Sequence, residues 1–382
     1  MKRILVLIPY YKPGYRSGGP QRTLENIIDA YGTNIKIYIY TQNYDLGEKL
    51  PYEGVEINKW VKVDNAYVMY SRKEDYCGKS LKSLYKKFDV IYSCGLFEIN
   101  SIRLLILHRK MHLTGKEIVI APMGVFSEGA INSKALKKKA FLKLFLSLGM
   151  FKGVVWSFTS EMERRDAIKQ LGKNNVSRYV IAEDLPRKIN KKHDLSPKKD
   201  LNLFKIVFLS RICSQKNLDY ALRILNSKEL GNIDFSIYGV CEDMKYWDVC
   251  QNLIKGLPSN ISVSYKGEVK PDEVLDVFSK NDIFLFPTKG ENFGHVIYES
   301  LSVGCIPIIS DQTPWQNLEE KKCGFVCKLS EIESFRRAIM QSKENVDNFN
   351  QLKKNAVSYA EKKYTESIKK SGYRKLFMDE LL

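Results

Sequence analysis

Ten short apolar runs, five on each side of a proline- and lysine-rich break, constrain what this chain can fold into more than any other feature. The first five lie at residues 4–8, 35–40, 90–93, 118–121 and 154–159, the second five at 205–210, 234–238, 261–265, 283–286 and 306–310. Each reads as a buried strand. The segments between them carry apolar residues at helical spacing, and strands alternating with helices build doubly wound parallel sheets. The break at 184–203 holds Pro186, Pro197 and many lysines, as an exposed linker would. The predicted architecture is α/β, with two parallel-sheet domains at residues 1–190 and 201–360 whose strand ends face a cleft. Residues 345–382 read as helical and basic, and no internal repeat or low-complexity tract is present.

With 382 residues and 44% hydrophobic content the chain is long enough for two real cores, which argues against global disorder. Residues 1–13 offer only the run 4–8 before Pro9, too short for a signal peptide and better read as the first strand. No stretch reaches the roughly 18 apolar residues of a membrane span. The eight cysteines show no zinc-like pair of pairs, so free thiols in a reducing cytoplasm are expected. The net charge of +17 is uneven: residues 101–200 hold 21 Lys or Arg against 9 Asp or Glu, whereas residues 201–350 hold 17 against 20. Lys134, Lys137, Lys138, Lys139, Lys143 and Lys152 interleave with Leu136, Phe141, Leu144, Phe145 and Leu148. Two readings stay open for this segment: a helix lying on an anionic bilayer, or a half-buried helix with a solvated lysine face. Nucleic acid is not an expected partner, because no binding motif with interleaved stacking aromatics accompanies the charge.

The chemistry concentrates in residues 287–310, PTKGENFGHVIYESLSVGCIPIIS. Glu291 and Glu299 stand eight residues apart around the start of a helix predicted over 293–303 and ended by Gly304. A helix N-terminus suits phosphate or sugar hydroxyls, and carboxylates accept from paired hydroxyls. If helix covers most of the interval, the two acids lie about 12 Å apart along it, the span from a hexose across a diphosphate to a ribose. Arg211 and Lys216 follow the strand 206–209, at the edge where such sheets bind ligands, and two fixed cations neutralise a departing diphosphate without metal. No Asp-x-Asp pair is present, so no metal or cofactor is predicted. Each residue also has a plainer reading: Glu291 as a first-turn cap, Glu299 as partner of a surface lysine, Arg211 and Lys216 as surface cations, Gly239 as a turn. The pair Gly18 and Gly19, before Pro20, is either a surface loop or an anion cradle after the first strand.

GENFGHVIYES, with its E-x7-E pair, resembles the signature of family 4 of the retaining glycosyltransferases, which have the GT-B fold of two Rossmann-like domains. Phe208-Leu-Ser-Arg211 followed by Lys216-Asn217 is similar to that family's strand and diphosphate-binding loop. Ser17-Gly18-Gly19-Pro20 is similar to its Gly-rich loop, and Asp311-Gln-Thr-Pro-Trp315 to the loop in members acting on cell-surface polysaccharides. The resemblance implies that Glu291 holds hexose hydroxyls and Glu299 the ribose diol. It further implies that Asn292, Phe293 and Gly294 offer N–H groups, and that Gly239 and Val269 lie in turns enclosing the base. In the resembling fold the last helix, here within 361–382, crosses back to the first domain. Two departures stand out. Ser93, Cys94 and Gly95 occupy the place where many relatives carry a His, and Met123-Gly124 the place of an Arg-Gly. The other candidate histidines are His108 and His112, in a helical basic stretch, and His295, a plain polar helix residue.

The expected function is retaining transfer of a sugar from a nucleotide diphosphate donor, UDP- or GDP-linked, to a hydroxyl of a lipid-linked or polysaccharide acceptor. Its expected setting is cell-surface glycan synthesis, in the cytoplasm or peripheral at the inner face of the membrane. The resemblance implies front-face attack with the diphosphate taking the acceptor's proton. Two alternatives remain: a sugar-nucleotide epimerase of the same fold, and an inactive subunit that binds anionic surfaces.

Overall fold

The computed structural model describes residues 2–76, 80–111, 116–126, 131, 135–189, 195, 197–198 and 200–378. The chain divides into two compact units, Met1–Lys188 with Ser367–Leu382, and Ile189–Glu366.

The first unit is built on an eight-stranded sheet of order β3-β4-β2-β1-β5-β6-β7-β8. Its strands are β1 Arg3–Leu7, β2 Lys36–Gln42, β3 Trp60–Val63, β4 Ala66–Ser71, β5 Val90–Cys94, β6 Glu117–Ala121, β7 Val155–Phe158 and β8 Tyr179–Ile181. In β1 successive side chains go to opposite cores: Leu5 and Leu7 join Ile91, Ile118 and Trp156, while Ile4 and Val6 join Ile37, Val90 and Val119. Both faces are covered, which is why the strand reads as one apolar run. The sheet departs from the all-parallel expectation at one edge, where β3 runs antiparallel to β4 in the register Trp60↔Met69. A two-residue connection makes this possible, with Asp64 at φ 51 supplying the left-handed turn of a hairpin. Residues from the tail complete the unit: Tyr373, Leu376 and Phe377 of the helix Gly372–Phe377 are buried in the core that holds Tyr92, with Phe377 5.4 Å from the Tyr92 ring.

The helix Ala135–Ser147 carries the basic segment. Its Leu142 and Phe145 are buried and Phe141 packs beside them, but Leu136 and Leu144, and Leu148 just beyond, are 87%, 55% and 49% exposed. Leu136, Leu144 and Leu148 therefore stand among the exposed Lys137, Lys139 and Lys143; Lys134 lies outside the described residues. No helix among the described residues is long and apolar enough to cross a membrane.

The second unit holds a six-stranded, fully parallel sheet of order β11-β10-β9-β12-β13-β14. The strands are β9 Leu203–Leu209, β10 Asn232–Tyr238, β11 Ile261–Gly267, β12 Ile283–Phe286, β13 Ile306–Ser310 and β14 Phe325–Cys327. The chain winds outward from β9 through β10 and β11, then restarts on the other side with β12, pairing Ile283 with Ile206. The connections after β9 and β12 therefore diverge, opening a crevice at the carboxyl edge where such sheets hold ligands.

The segment expected as an exposed linker is in part anchored. Asp184 and Leu185 are buried in the first unit, where Thr23 Oγ1 donates to Asp184 at 2.9 Å and Asn26 Nδ2 to Leu185 O at 2.6 Å. In the second unit Lys198 Nζ meets Asp282 Oδ2 at 2.7 Å, and its backbone N–H donates to Asn350 Oδ1 at 2.8 Å. Lysine content reads as solvation, but a long side chain docks when a buried carboxylate waits at the sheet's end.

Candidate functional site

Backbone and side-chain bonds stitch together the loops that leave β9, β12 and β13. Asn217 sits in the left-handed region at φ 64, caps the helix Leu218–Leu225, and donates from Nδ2 to Pro287 O at 2.9 Å. Lys289 N–H donates to Gln215 O at 3.0 Å, and Ser310 Oγ to Thr288 O at 2.6 Å. This stitching brings the ammonium of Lys216 onto Glu291 Oε1, joining two predicted site residues across the crevice. Only 12% and 14% of the two side chains remain exposed, and Lys216 Nζ also lies 5.8 Å over the Phe286 ring. Each charge is thus largely desolvated and compensated chiefly by the other.

Arg211 follows β9 on the same edge. Its Nη1 donates to both carboxylate oxygens of Glu242, at 2.8 and 3.0 Å, and the pair is more open than the first, at 51% and 36% exposure. Burial pulls the Arg211 pKa down, but the bond and charge of Glu242, with Cys213 and Glu291 adding, hold it above the ordinary value. Arg211 therefore stays a cation within the field of Glu291.

The helix after Glu291 is shorter than its periodicity predicts. It spans His295–Ser302, and Phe293 and Val303 fall outside it. Gly294 is the cause: at φ 79 it takes a left-handed turn at the N-cap, where a Cβ would come within 2.8 Å of Ile297. Half of the interval from Glu291 to Glu299 is therefore loop, and the rise of an unbroken helix does not apply to it. Glu291 precedes the N-cap by three residues, so it is not a first-turn cap. Glu299 lies within the helix and is 4% exposed, so it does not stand on the surface. Gly304, at φ 75, follows the last turn as expected, its N–H donating to Leu301 O at 3.1 Å.

Asn292 is exposed, while Phe293 is buried against Trp315, with ring centroids 5.5 Å apart, and its carbonyl accepts from Trp315 Nε1. The Glu291 N–H donates to Gln312 O at 3.2 Å. The loop 311–315 thus braces the Glu291 loop from behind. Gly239, at the end of β10, stands at φ 142, and a Cβ there would fall 1.8 Å from Ser210 O. No side chain fits, so this glycine is required by close backbone approach rather than by a turn alone. Its N–H donates to Gly267 O at 2.8 Å, which ties the end of β10 to the end of β11; Val269, just beyond, is partly buried against the core.

In the first unit Gly18 caps the helix Gly19–Tyr31 at φ 71, and neither Gly18 nor Gly19 has any atom within 4 Å of where a Cβ would stand. They follow β1 beside the point where strand order reverses between β1 and β5, the place a ligand loop occupies in such sheets. Ser93 and Cys94 are buried, with Ser93 Oγ 2.7 Å from Ser101 Oγ. His108 Nδ1 lies 3.0 Å from Tyr85 Oη and Nε2 3.3 Å from Lys152 O, both structural contacts. His112 is outside the described residues.

Residues 189–362 match the family model of glycosyl transferases group 1. The glycogen synthase of Petrotoga mobilis is 30% identical over 127 residues, 33% of this chain and 26% of that protein. An uncharacterised 41.2 kDa protein in the cps region of Klebsiella pneumoniae is 26% identical over 239 residues, 61% of this chain and 62% of the other. The matched stretches thus span less than two thirds of either relative. Anabaena Alr3699/HepE, solved in complex with UDP-glucose, superposes with a TM-score of 0.68 at 15% identity over 98% of this chain and 99% of its own. WaaG, a glycosyltransferase involved in lipopolysaccharide biosynthesis, gives 0.65 at 13% identity over 99% and 100%. The fold is GT-B.

Within the matched residues 189–362 the structure gathers Lys216, Glu291 and Arg211 at one edge of the sheet, and adds residues that sequence reasoning missed. Glu242 is the chief of them, joined by Thr288, fully buried with its hydroxyl 3.3 Å from Gln215 O. The signal for Glu242 was available in principle: it follows β10 much as Arg211 follows β9, and adjacent parallel strands bring such positions together. Among the described residues no three His, Cys, Asp or Glu side chains converge as a metal site.

Proposed function

We propose that this chain is a retaining glycosyltransferase that moves a sugar from a nucleotide diphosphate donor, UDP- or GDP-linked, to a hydroxyl of a lipid-linked or polysaccharide acceptor in surface-glycan assembly. The observation that carries the proposal is the desolvated Lys216–Glu291 pair at the β9/β12 divergence. A carboxylate and an ammonium held in such a crevice are matched to a ligand with hydroxyls at one end and phosphate at the other. On donor entry the diphosphate takes over Lys216 and reaches Arg211, and the sugar hydroxyls take over Glu291. Glu299 receives the ribose diol, Gly239 and Val269 flank the base, and N–H groups of residues 292–294 face sugar and phosphate. Two fixed cations neutralise the leaving group, so the transfer runs without a metal, and the diphosphate itself accepts the attacking hydroxyl's proton.

The UDP-glucose complex of Alr3699/HepE supports a nucleotide-sugar donor, and the relative in a cps region supports a surface-glycan acceptor. The exposed leucines and lysines of Ala135–Ser147 support contact with an anionic membrane at its cytoplasmic face, where a lipid-linked acceptor resides. A panel of UDP-, GDP- and TDP-sugars tested for thermal stabilisation decides the donor, because a ligand that binds only the native state raises the melting point. Stabilisation by none of them overturns the proposal. Conversion of the donor alone, with no acceptor present, would identify an epimerase instead.

A further inference from the structure

We infer that Glu242 is a positioning residue that fixes the Arg211 guanidinium by one edge and leaves its other edge set for the departing diphosphate, an inference resting on the donor reading above. The pair is built by the backbone rather than by two side chains meeting by chance. Beyond the ends of β9 and β10, Ile212 N–H donates to Val240 O at 2.8 Å and Glu242 N–H to Ile212 O at 3.2 Å, and Ile212 and Cys241 form a parallel bridge. The loops after the two strands are thereby zipped together for one further step, which delivers the Glu242 carboxylate to the Arg211 side chain. The zipper is possible because Gly239 lets the β10 backbone pass against Ser210 O, where any side chain would collide.

Both contacts of Glu242 fall on Nη1, and among the described residues the guanidinium has no other hydrogen-bond partner. Its Nε and Nη2 edge, the fork that meets two phosphate oxygens at once, is left open. An exposed arginine without such a brace samples many rotamers, and ordering it on ligand entry opposes binding. Glu242 removes that cost while its charge, about a third exposed, is screened by solvent. Lys216 needs no such brace, because Glu291 already holds it. The two cations are thus restrained differently: Lys216 by an acid that changes partner when the sugar arrives, Arg211 by an acid that stays.

The test uses the full-length protein and calorimetric titration with UDP, GDP and TDP, each beside its monophosphate. For whichever diphosphate the native protein binds, Glu242→Ala is expected to weaken diphosphate binding about tenfold and to leave monophosphate binding unchanged. Glu242→Gln, which keeps an acceptor for Nη1, is expected to recover part of the loss. In an Arg211→Ala background Glu242→Ala is expected to have no further effect. Unchanged or tighter diphosphate binding by Glu242→Ala overturns the inference, since the acid would then be idle or a competitor. Equal weakening of mono- and diphosphate binding overturns it too, since the residue would then act on the loop as a whole. Native protein that binds none of the three diphosphates overturns the donor reading and the inference together, an outcome distinct from either of those.

Discussion

Lys216 donates to Glu291 across 75 positions of sequence, and both side chains are nearly out of water. A pair of this kind has two consequences that separate in experiment. Removing one partner strands the other, so Lys216→Met and Glu291→Gln are each expected to lower stability by about 2–3 kcal/mol in denaturant unfolding. The double variant, with no buried charge left over, is expected to recover most of that loss. On the proposed donor reading, turnover is expected to fall at least about 100-fold in all three, because diphosphate and sugar would each lose a charged partner. Activity that returned with stability in the double variant would assign the pair to the fold alone.

Gly239 and Gly267 offer a matched comparison on neighbouring strands. Both have positive φ, at 142 and 78, but a Cβ on Gly239 would fall 1.8 Å from Ser210 O, whereas one on Gly267 meets nothing within 4 Å. Gly267→Ala is expected to cost about 1 kcal/mol from backbone strain alone, and Gly239→Ala about 3 kcal/mol or more because the β9 and β10 ends must move apart. Nucleotide binding, measured by calorimetry, is expected to survive the first change and to be lost in the second. Equal costs would mean that the loop after β10 is not held against β9.

The inner strands, such as 4–8 and 283–286, were legible because both their faces are buried and every residue is apolar. Four strands were not: β3, β8 and β14 are three or four residues long, stand at a sheet edge and carry little burial, while β4, though inner and largely buried, mixes an exposed Tyr67 and a terminal Ser71 into its run and is not marked as a strand by the apolar pattern. The helix starts at His295, later than its apolar spacing predicts, because spacing ignores backbone handedness and Gly294 breaks the helix without breaking the pattern. Arg211, Lys216 and Glu291 were legible as types after strands, and their resemblance to a known family put them in register. Their pairing was not, since which carboxylate meets which cation depends on strand adjacency: β9 beside β12 gives Lys216–Glu291, and β9 beside β10 gives Arg211–Glu242.

Asp184 links the stability of the first unit to pH. Burial pushes its carboxyl up to about 7 against the lowering effect of the Thr23 hydroxyl, with Glu163 and Glu183 adding to the rise. In the unfolded chain the same group titrates near 4. Between these values the folded state holds a proton that the unfolded state has released, so the stabilising contribution is complete below about pH 4 and is lost as pH rises towards 7. Glu163, also raised by burial against hydrogen bonds from Thr159 and Gly124, acts with the same sign. Unfolding free energy measured at pH 5 and pH 8 is therefore expected to be lower at pH 8 by a few kcal/mol. Asp184→Asn, which keeps an acceptor for Thr23, is expected to flatten that difference. A slope unaffected by Asp184→Asn would place the titration elsewhere.

The face of Ala135–Ser147 makes the final prediction, because two features that usually exclude each other occur there together. Leu136 and Leu144, with Leu148 beyond the helix, are exposed, and Lys137, Lys139 and Lys143 stand among them. A merely solvated face would carry the lysines without the leucines. Near an anionic bilayer each lysine contributes roughly 1 kcal/mol, and a leucine entering the headgroup boundary adds apolar burial. The protein is expected to sediment with phosphatidylglycerol-containing vesicles and not with phosphatidylcholine alone, and to be released by salt, since the lysine attraction is screened within a Debye length. Leu144→Glu and Lys143→Glu are each expected to weaken binding about tenfold or more, while leaving nucleotide-induced thermal stabilisation of the second unit unchanged. Equal sedimentation of native protein and Leu144→Glu would return this helix to the reading in which its lysines serve only solubility.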